Sequence, residues 1–221
     1  MAHETVAACR RFFMFYRRRV YQATENTRYF TLDASRSSNV PHDLSQESAT
    51  LFTVGHSTCT IAEFMATLKP VGVDLVADVR SFPHSRTNPQ FNQEILPGSL
   101  AEAGIGYQHL IALGGRRRSD RERPSPNAFW QNAAFRNYAD YAATDAFRAG
   151  LEELRALARR HRCAIMCAEA LWWRCHRRII ADYLLAGGLS VMHLMKGGKV
   201  IAAQMTLAAQ RLADGTLVYP G

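Results

Sequence analysis

Five short apolar runs, separated by polar turns and helical patterns, constrain the fold of this chain more than any other feature. The runs lie at 51–54, 73–79, 105–110, 163–167 and 190–195. Runs that are short and apolar throughout are typical of strands buried on both faces of a sheet. Their alternation with helices predicts an α/β domain. We expect a mainly parallel sheet with helices on both faces, in a rhodanese-like or flavodoxin-like three-layer architecture.

The segments between the runs carry helix signals. Thr60 followed three residues later by Glu63 is a capping box, which predicts a helix start. Apolar residues recur at helical spacing in four further segments: 129–142, 145–161, 179–185 and 200–212. The last of these predicts a helix near the C-terminus.

Polar side chains follow the strands at their carboxyl ends. The relevant segments are His56-Ser57, 78–86, 107–109 and 167–177. Parallel strands joined by right-handed crossovers end at the same edge of a sheet, where ligands usually bind. The sequence therefore predicts one site built from four separate strand exits.

Cys167 ends the fourth run, and Cys175, His176 and Arg177 come just before the next helical segment. Free backbone N–H groups at a helix start favour an anion, and neighbouring cations lower the pKa of a thiol. We therefore expect a lowered pKa at Cys167 and faster alkylation there than at Cys163, which packs in the core.

Several motifs, in order along 51–196, resemble a bacterial family catalogued as domain of unknown function 488. They are Thr53-Val54-Gly55-His56-Ser57, the segment 78–86, Gly104-Ile105-Gly106-Tyr107, Leu113-Gly114-Gly115, Cys167-Ala168-Glu169 and Cys175-His176-Arg177-Arg178. The resemblance implies an α/β fold and no settled activity. The part after residue 163 also resembles the last half of a rhodanese domain, but with 171–173 and a second cysteine in the loop after Cys167.

These patterns assign candidate roles to eleven residues. The catalytic candidates are Cys167, Glu169 and His176, and the substrate-binding candidates are His56, Ser57, Asp78, Arg80, His84, Arg86, Cys175 and Arg177. Each has a structural alternative. Cys167 is equally consistent with a packed thiol, Glu169 with an ion pair to an arginine, and His176 with a partly buried helix residue.

Charge and residue types leave three classes of function open. The net charge is +8, nearly all of it from arginine, which favours an anionic small molecule or nucleic acid as partner. The first class is a thiol-dependent enzyme acting on an anionic substrate at the carboxyl edge. The second is a nucleic-acid or nucleotide-binding protein without catalysis, and the third is a metal site of Cys, His and Glu. No Cys-x2-Cys spacing identifies a metal, and no motif names a cofactor.

The remaining features concern compartment and domain limits. Five cysteines without dense disulfide spacing predict a reducing, cytoplasmic compartment, and no stretch is long and apolar enough for a membrane span. Residues 1–49 lack core periodicity: 10–21 mixes aromatic residues with arginines, and 31–48 is rich in Ser, Asn, Asp and Pro. We expect a flexible N-terminal extension there and a single α/β domain over 50–221.

Overall fold

The five apolar runs form the parallel strands of one sheet in the computed structural model, which describes residues 50–118 and 124–221. The strands are β1 Thr50–Gly55, β2 Leu75–Asp78, β3 Gly106–His109, β4 Cys163–Cys167 and β5 Ser190–Leu194. A sixth strand, β6 Val200–Ala202, runs antiparallel to β5. The spatial order is β3-β2-β4-β1-β5-β6, so the predicted mainly parallel sheet is confirmed. The extension predicted for 1–49 lies outside the described residues.

Helices cover both faces of this sheet. Their bounds are α1 Ile61–Leu68, α2 Leu96–Ala101, α3 Ala133–Tyr141, α4 Asp145–Ala158 and α5 Arg177–Ala186. One apolar core packs α3, α4 and α5 on the sheet, and another packs α1 and α2 on its opposite face. The three-layer α/β arrangement predicted from the sequence is therefore present.

Side chains of the central strand β4 pack alternately into the two cores. Cys163, Ile165 and Cys167 belong to the first core, whereas Ala164 and Met166 belong to the second. This follows from the two-residue period of a strand. Since both faces are covered, every position of β4 is buried, which explains the unbroken apolar run.

The capping box at α1 is formed as predicted. The Thr60 hydroxyl accepts a hydrogen bond from the Glu63 N–H at 3.2 Å, and the Glu63 carboxylate accepts one from the Thr60 N–H at 2.9 Å. Two N–H groups at the helix start that would otherwise be unpaired are thereby satisfied. Five residues, 56–60, separate the end of β1 from the start of this helix.

The helix predicted over 200–212 is wrong. Gly197 and Gly198 both have positive φ, at 84° and 81°, so the chain reverses and returns as β6 beside β5. Two short strands follow, β7 Gln210–Arg211 and β8 Leu217–Val218, which pair with each other in a separate two-stranded sheet. In the described part of the chain, no helix is long and apolar enough to cross a bilayer.

Candidate active site at the carboxyl edge of the sheet

Two cysteine side chains meet where β4 ends. The Sγ atoms of Cys167 and Cys175 lie 3.1 Å apart, and both side chains are buried. Cys167 is the last residue of β4, and Cys175 follows a 3₁₀ turn at Trp172–Arg174, just before α5. The loop between them therefore folds back so that its two ends are in contact. We call Cys167 and Cys175 the thiol pair.

A glycine on the neighbouring strand permits this loop to close. Gly55 is paired with Cys167 across β1 and β4, and the chain at Glu169 and Ala170 passes directly over it. A Cβ at position 55 would lie 2.0 Å from the Glu169 carbonyl oxygen, so a side chain is excluded there. The glycine in the Val54-Gly55-His56 motif is thus needed for a close backbone approach.

Cys175 lies beside Arg177 and His176. Its Sγ accepts a hydrogen bond from Arg177 Nε at 3.3 Å and lies 3.5 Å from His176 Nδ1. Burial alone would raise the pKa of the Cys175 thiol. The contact with the Cys167 sulfur, the nearby imidazole of His176 and the positive charge of Arg177 outweigh burial and lower that pKa well below its usual range.

The prediction of a lowered pKa at Cys167 is therefore wrong, because the thiol whose pKa is lowered is Cys175. The hydrogen bond with Cys175, followed by burial, raises the pKa of Cys167 well above its usual range. The two thiols share one proton, and a negative charge on Cys175 disfavours a second one on Cys167. The Glu169 N–H, 3.4 Å from Cys167 Sγ, only partly offsets this.

Arg177 is 1% exposed and is the largest fully buried side chain among residues 50–118 and 124–221. Its guanidinium donates to Cys175 Sγ, to Thr53 Oγ1 at 3.4 Å and to the Glu169 carbonyl oxygen. Among the described residues, no carboxylate pairs with it. A buried cation without an anion is costly, so the Cys175 thiolate is the group that can neutralise it.

His176 is held in a fixed orientation. Its Nε2 donates to the Val79 carbonyl oxygen at 2.9 Å, which leaves Nδ1 facing Cys175. Its ring packs edge-on against Tyr138, with ring centroids 4.9 Å apart. A Cβ on Gly115 would lie 2.4 Å from Nδ1, so the second glycine of the Leu113-Gly114-Gly115 motif makes room for this ring.

A second charged group, Arg80, is braced at the end of β2. Its Nε donates to Asp78 Oδ1 at 2.9 Å and its Nη2 donates to the Phe91 carbonyl oxygen at 2.7 Å. The Tyr107 hydroxyl donates to the other oxygen of Asp78 at 2.8 Å. Arg80 and Asp78 are both buried, so the carboxylate neutralises and aims the guanidinium.

The neutral ring of His56 completes the bracing of Arg80. Burial is the main cause that lowers the pKa of His56 to about 4. His56 Nδ1 donates to the Ser57 carbonyl oxygen at 2.8 Å, so Nε2, 3.3 Å from Arg80 Nη1, is the acceptor. The ring also stacks on Phe91, with centroids 4.1 Å apart. His56 and Asp78 therefore position Arg80 and do not face open space.

A cavity of about 430 Å³ opens between the thiol pair and Arg80. Its lining consists of Arg80, Ser81, Phe82, His84, Gly115, Arg116, Ala134, Phe135, Cys167, Ala168 and His176. Cys167 faces this cavity, and Cys175 lies behind it. Arg80, Arg116 and His84 make the lining basic, and the exposed Phe82 lies 5.7 Å from the Arg116 guanidinium.

Four of the eleven predicted site residues line the cavity: Arg80, His84, Cys167 and His176. His56, Asp78, Cys175 and Arg177 are buried behind this lining. The other three contribute no side chain to the cavity. Glu169 is exposed, and its carboxylate accepts a hydrogen bond from the Leu171 N–H at 3.2 Å. Ser57 contributes its backbone, because its N–H bonds the Ala168 carbonyl oxygen. Arg86 is exposed on the loop after β2 and is not part of the lining.

Sequence reasoning missed the contribution of α3 and of the turn after β3. Ala134 and Phe135 of α3 line the cavity, and Arg116 follows the Gly114-Gly115 turn. The amphipathic pattern of α3 predicts a helix, but it gives no sign of which apolar residues reach a site. The run Arg116-Arg117-Arg118 was a visible signal, since it follows a motif at a strand exit.

The geometry also permits a metal ion. Ligand atoms of Cys167, Cys175 and His176 all lie within 4.8 Å of one another. The hydrogen bond from His176 Nε2 to Val79 is of the kind that orients a metal-binding histidine. Thiolate and imidazole ligands suit zinc and iron. Opposing this, the Arg177 guanidinium is hydrogen-bonded to one of the sulfurs.

Comparisons with known proteins gave one match. A family model described as Domain of unknown function DUF488 matches residues 60–184, which is more than half of the chain. This confirms the resemblance read from the motifs. Neither the curated proteins nor the solved structures gave a match, so the likeness to the rhodanese fold is not confirmed.

Proposed function

This chain belongs to the DUF488 family, whose description assigns no activity, and from its site we propose that it is a thiol-dependent enzyme acting on an anionic substrate. The substrate binds in the basic cavity at the carboxyl edge of the sheet. Cys167 attacks it, and the proton of the Cys167 thiol passes to Cys175 and then to His176. The reducing conditions of the cytoplasm suit this chemistry, because the pair must stay reduced to react.

The single observation that carries the proposal is the buried guanidinium of Arg177 against Cys175. Structural ion pairs usually join arginine to a carboxylate, but here the available anion is a thiolate. Keeping a charge buried at a sulfur has a stability cost that a packing role does not require. Perturbed thiols beside a basic cavity are typical of functional sites.

The proposed reaction is a group transfer to sulfur. The Cys167 sulfur forms a bond to the electrophilic atom of the substrate, and the bond from that atom to its leaving group breaks with its electron pair on the leaving group. The Cys167 proton moves to the Cys175 thiolate, whose Sγ is 3.1 Å away. His176 Nδ1, 3.5 Å from Cys175 Sγ, is placed to accept that proton next.

Arg80 and Arg116 are proposed to bind the negative charge of the substrate. Arg80 lines the cavity, and its guanidinium is held by Asp78 and Phe91 through Nε and Nη2 and by His56 through Nη1. Because its position is fixed beforehand, binding an anion costs little side-chain entropy. His84 adds a donor at the rim. In this proposal Asp78 and His56 act by positioning Arg80, and Glu169 acts through its backbone.

The test compares two alkylating reagents of similar size, the iodoacetate anion and neutral iodoacetamide. We expect the rate ratio of iodoacetate to iodoacetamide at Cys167, measured by peptide mass spectrometry, to exceed the ratio for free cysteine. An exposed charge acting across about 4 Å contributes about 1 kcal/mol, so Arg116→Gln should lower the ratio about fivefold. Arg118→Gln is the matched control, because Arg118 does not line the cavity.

A protection experiment checks the same proposal without an anionic reagent. Inorganic phosphate is expected to slow the reaction of Cys167 with iodoacetamide, and this protection should weaken in Arg116→Gln. Equal ratios at Cys167 and in free cysteine, together with no protection by phosphate, would overturn the assignment of an anionic substrate.

Nucleic-acid binding is a second candidate, and one observation favours it. Phe82 is 70% exposed at the rim of the cavity, beside Arg116. Exposed aromatic rings next to arginine stack with bases and contact phosphates. If this candidate is correct, duplex binding should weaken steeply with salt, and replacing Arg116, Arg117 and Arg118 by glutamine should flatten the salt dependence. A chain that binds no duplex at low salt excludes it.

A metal centre at the thiol pair and His176 is a third candidate, favoured by the hydrogen bond from His176 to Val79. Titration with Co²⁺ would give a thiolate-to-metal charge-transfer band that is lost in Cys175→Ser. Purified chain that contains no zinc or iron and gives no such band would rule the centre out.

A further inference from the structure

The two sulfurs of the thiol pair are already close to bonding distance. A disulfide has an S–S length of about 2.05 Å, so the 3.1 Å separation has to shorten by about 1 Å. Both cysteines lie at the ends of one loop, 168–174, and side-chain rotation about two Cβ atoms can supply such a movement. Neither sulfur is used in a disulfide in the described structure.

The pair is also asymmetric with respect to the cavity. Cys167 is 8% exposed and lines the cavity, whereas Cys175 is 4% exposed and lies behind it. A molecule that enters the cavity therefore meets Cys167 first. Cys175 can reach only what Cys167 has already bound. This order corresponds to an attacking thiol in front and a resolving thiol behind it.

We propose that Cys167 and Cys175 act as a dithiol that reduces small anionic disulfides bound in the cavity. This inference rests on the proposed function, because it uses Cys167 as the cavity-facing nucleophile. It goes further by naming the substrate class, a low-molecular-weight disulfide carrying carboxylates, and by giving Cys175 a covalent role. A small thiol is the reductant that restores the pair after each cycle.

The reaction balances in two exchanges. In the first, Cys167 sulfur bonds one sulfur of the substrate, the substrate S–S bond breaks, and the departing thiol leaves with the Cys167 proton. In the second, the Cys175 thiolate attacks Cys167 sulfur, the mixed disulfide breaks, and the second substrate half leaves as a thiolate. The substrate gains two electrons, and the pair loses two electrons in forming one S–S bond.

The surroundings of the pair favour the second exchange. The hydrogen bond from Arg177 Nε holds the Cys175 sulfur 3.1 Å from the Cys167 sulfur. The resolving sulfur is therefore already in place when the mixed disulfide forms. Basic groups at the cavity, Arg80 and Arg116, attract substrate carboxylates. Cys163 cannot act as the resolving thiol, because it is fully buried at the opposite end of β4.

The test uses the full chain with Cys9→Ser, Cys59→Ala and Cys163→Ala, so that only the thiol pair remains, after treatment with a chelator. The probe is the dianionic aromatic disulfide dithiobis(nitrobenzoate), whose released thiol is coloured. We expect two released thiols per chain, no reagent left on the protein, and a chain mass lower by two hydrogen atoms. Proteolysis and mass spectrometry of the unaltered chain should show the same Cys167–Cys175 link.

Single variants separate the two roles. With Cys175→Ser we expect one released thiol per chain and one reagent adduct retained at Cys167. With Cys167→Ser we expect loss of the fast reaction, because the remaining sulfur does not line the cavity. A pair that keeps a stable adduct when both cysteines are present overturns the dithiol proposal, as does a fast reaction in the Cys167→Ser chain.

A neutral reagent, dipyridyl disulfide, keeps this inference distinguishable from the proposed function. If both reagents close the internal disulfide at equal normalised rates, the dithiol chemistry stands and the anionic preference fails. If iodoacetate preference holds but neither reagent closes the internal disulfide, the proposed function stands and the dithiol proposal is overturned.

Discussion

Replacing Gly115 by alanine should disturb the site through one close contact. The new Cβ would lie 2.4 Å from Nδ1 of His176, whereas ordinary contacts begin at about 3.4 Å, so the ring has to retreat by about 1 Å. That ring is held by its hydrogen bond to Val79 at 2.9 Å and by packing on Tyr138. Retreat therefore breaks the hydrogen bond or compresses the neighbours.

The expected magnitude follows from these two effects. Overpacking of a filled site costs about 1–3 kcal/mol, and a lost hydrogen bond costs about 1 kcal/mol. The free energy of unfolding should therefore fall by about 2–4 kcal/mol. For a domain of this size each kcal/mol lowers the melting temperature by about 2–4 °C, so we expect a decrease of about 5–15 °C.

The assay is thermal unfolding, together with the alkylation rate at Cys167. Gly98→Ala is the matched control, because nothing lies within 4 Å of its new Cβ and alanine favours the helix α2 by up to about 1 kcal/mol. The control should melt at or slightly above the unaltered chain. If Gly115→Ala melts like Gly98→Ala and its Cys167 reacts at the unaltered rate, the argument that the glycine makes room for His176 is refuted.

Three further predictions concern charge, pH and the N-terminal segment. Arg177→Met should raise the pKa of the Cys175 thiol, since the cation that stabilises the thiolate is lost, whereas Arg177→Lys should retain part of the effect; ultraviolet absorbance of the thiolate measures both. Burial lowers the pKa of both His56 and His193 to about 4 from about 6.5, so the unfolded chain binds these protons first as the pH falls. The free energy of unfolding should be highest above pH ~6.5 and should decrease towards pH ~4, by on the order of 3 kcal/mol for each histidine. His56→Gln should flatten this pH dependence when the free energy is measured by denaturant unfolding. Deletion of residues 1–48 should leave the melting temperature within a few degrees, because their sequence lacks core periodicity; a larger loss would contradict the predicted domain limit.

The sheet could be predicted because a strand that is buried on both faces has a recognisable local composition. The run Cys163–Cys167 is apolar at every position, which is required of a strand covered on both faces. The convergence of His56, Arg80 and Cys167 at one edge followed from strand direction alone. These features depend on short segments and on handedness, so they need no knowledge of distant contacts.

Other features depend on contacts that sequence patterns do not encode. Arginine is usually exposed, so nothing in the sequence indicates that Arg177 is buried beside a sulfur and shifts the thiolate to Cys175. The alanine-rich segment after Val200 has helical spacing, but the reversal at Gly197-Gly198 brings it to β5, where strand pairing prevails over local propensity. Tertiary contacts decided both outcomes.

The burial of Arg177 couples the chemical state of Cys175 to the stability of the whole domain. Protonation, alkylation or oxidation of Cys175 removes the anion and leaves a buried guanidinium uncompensated, a situation that typically costs about 3–5 kcal/mol. Every covalent change at this sulfur is therefore also a change in melting temperature.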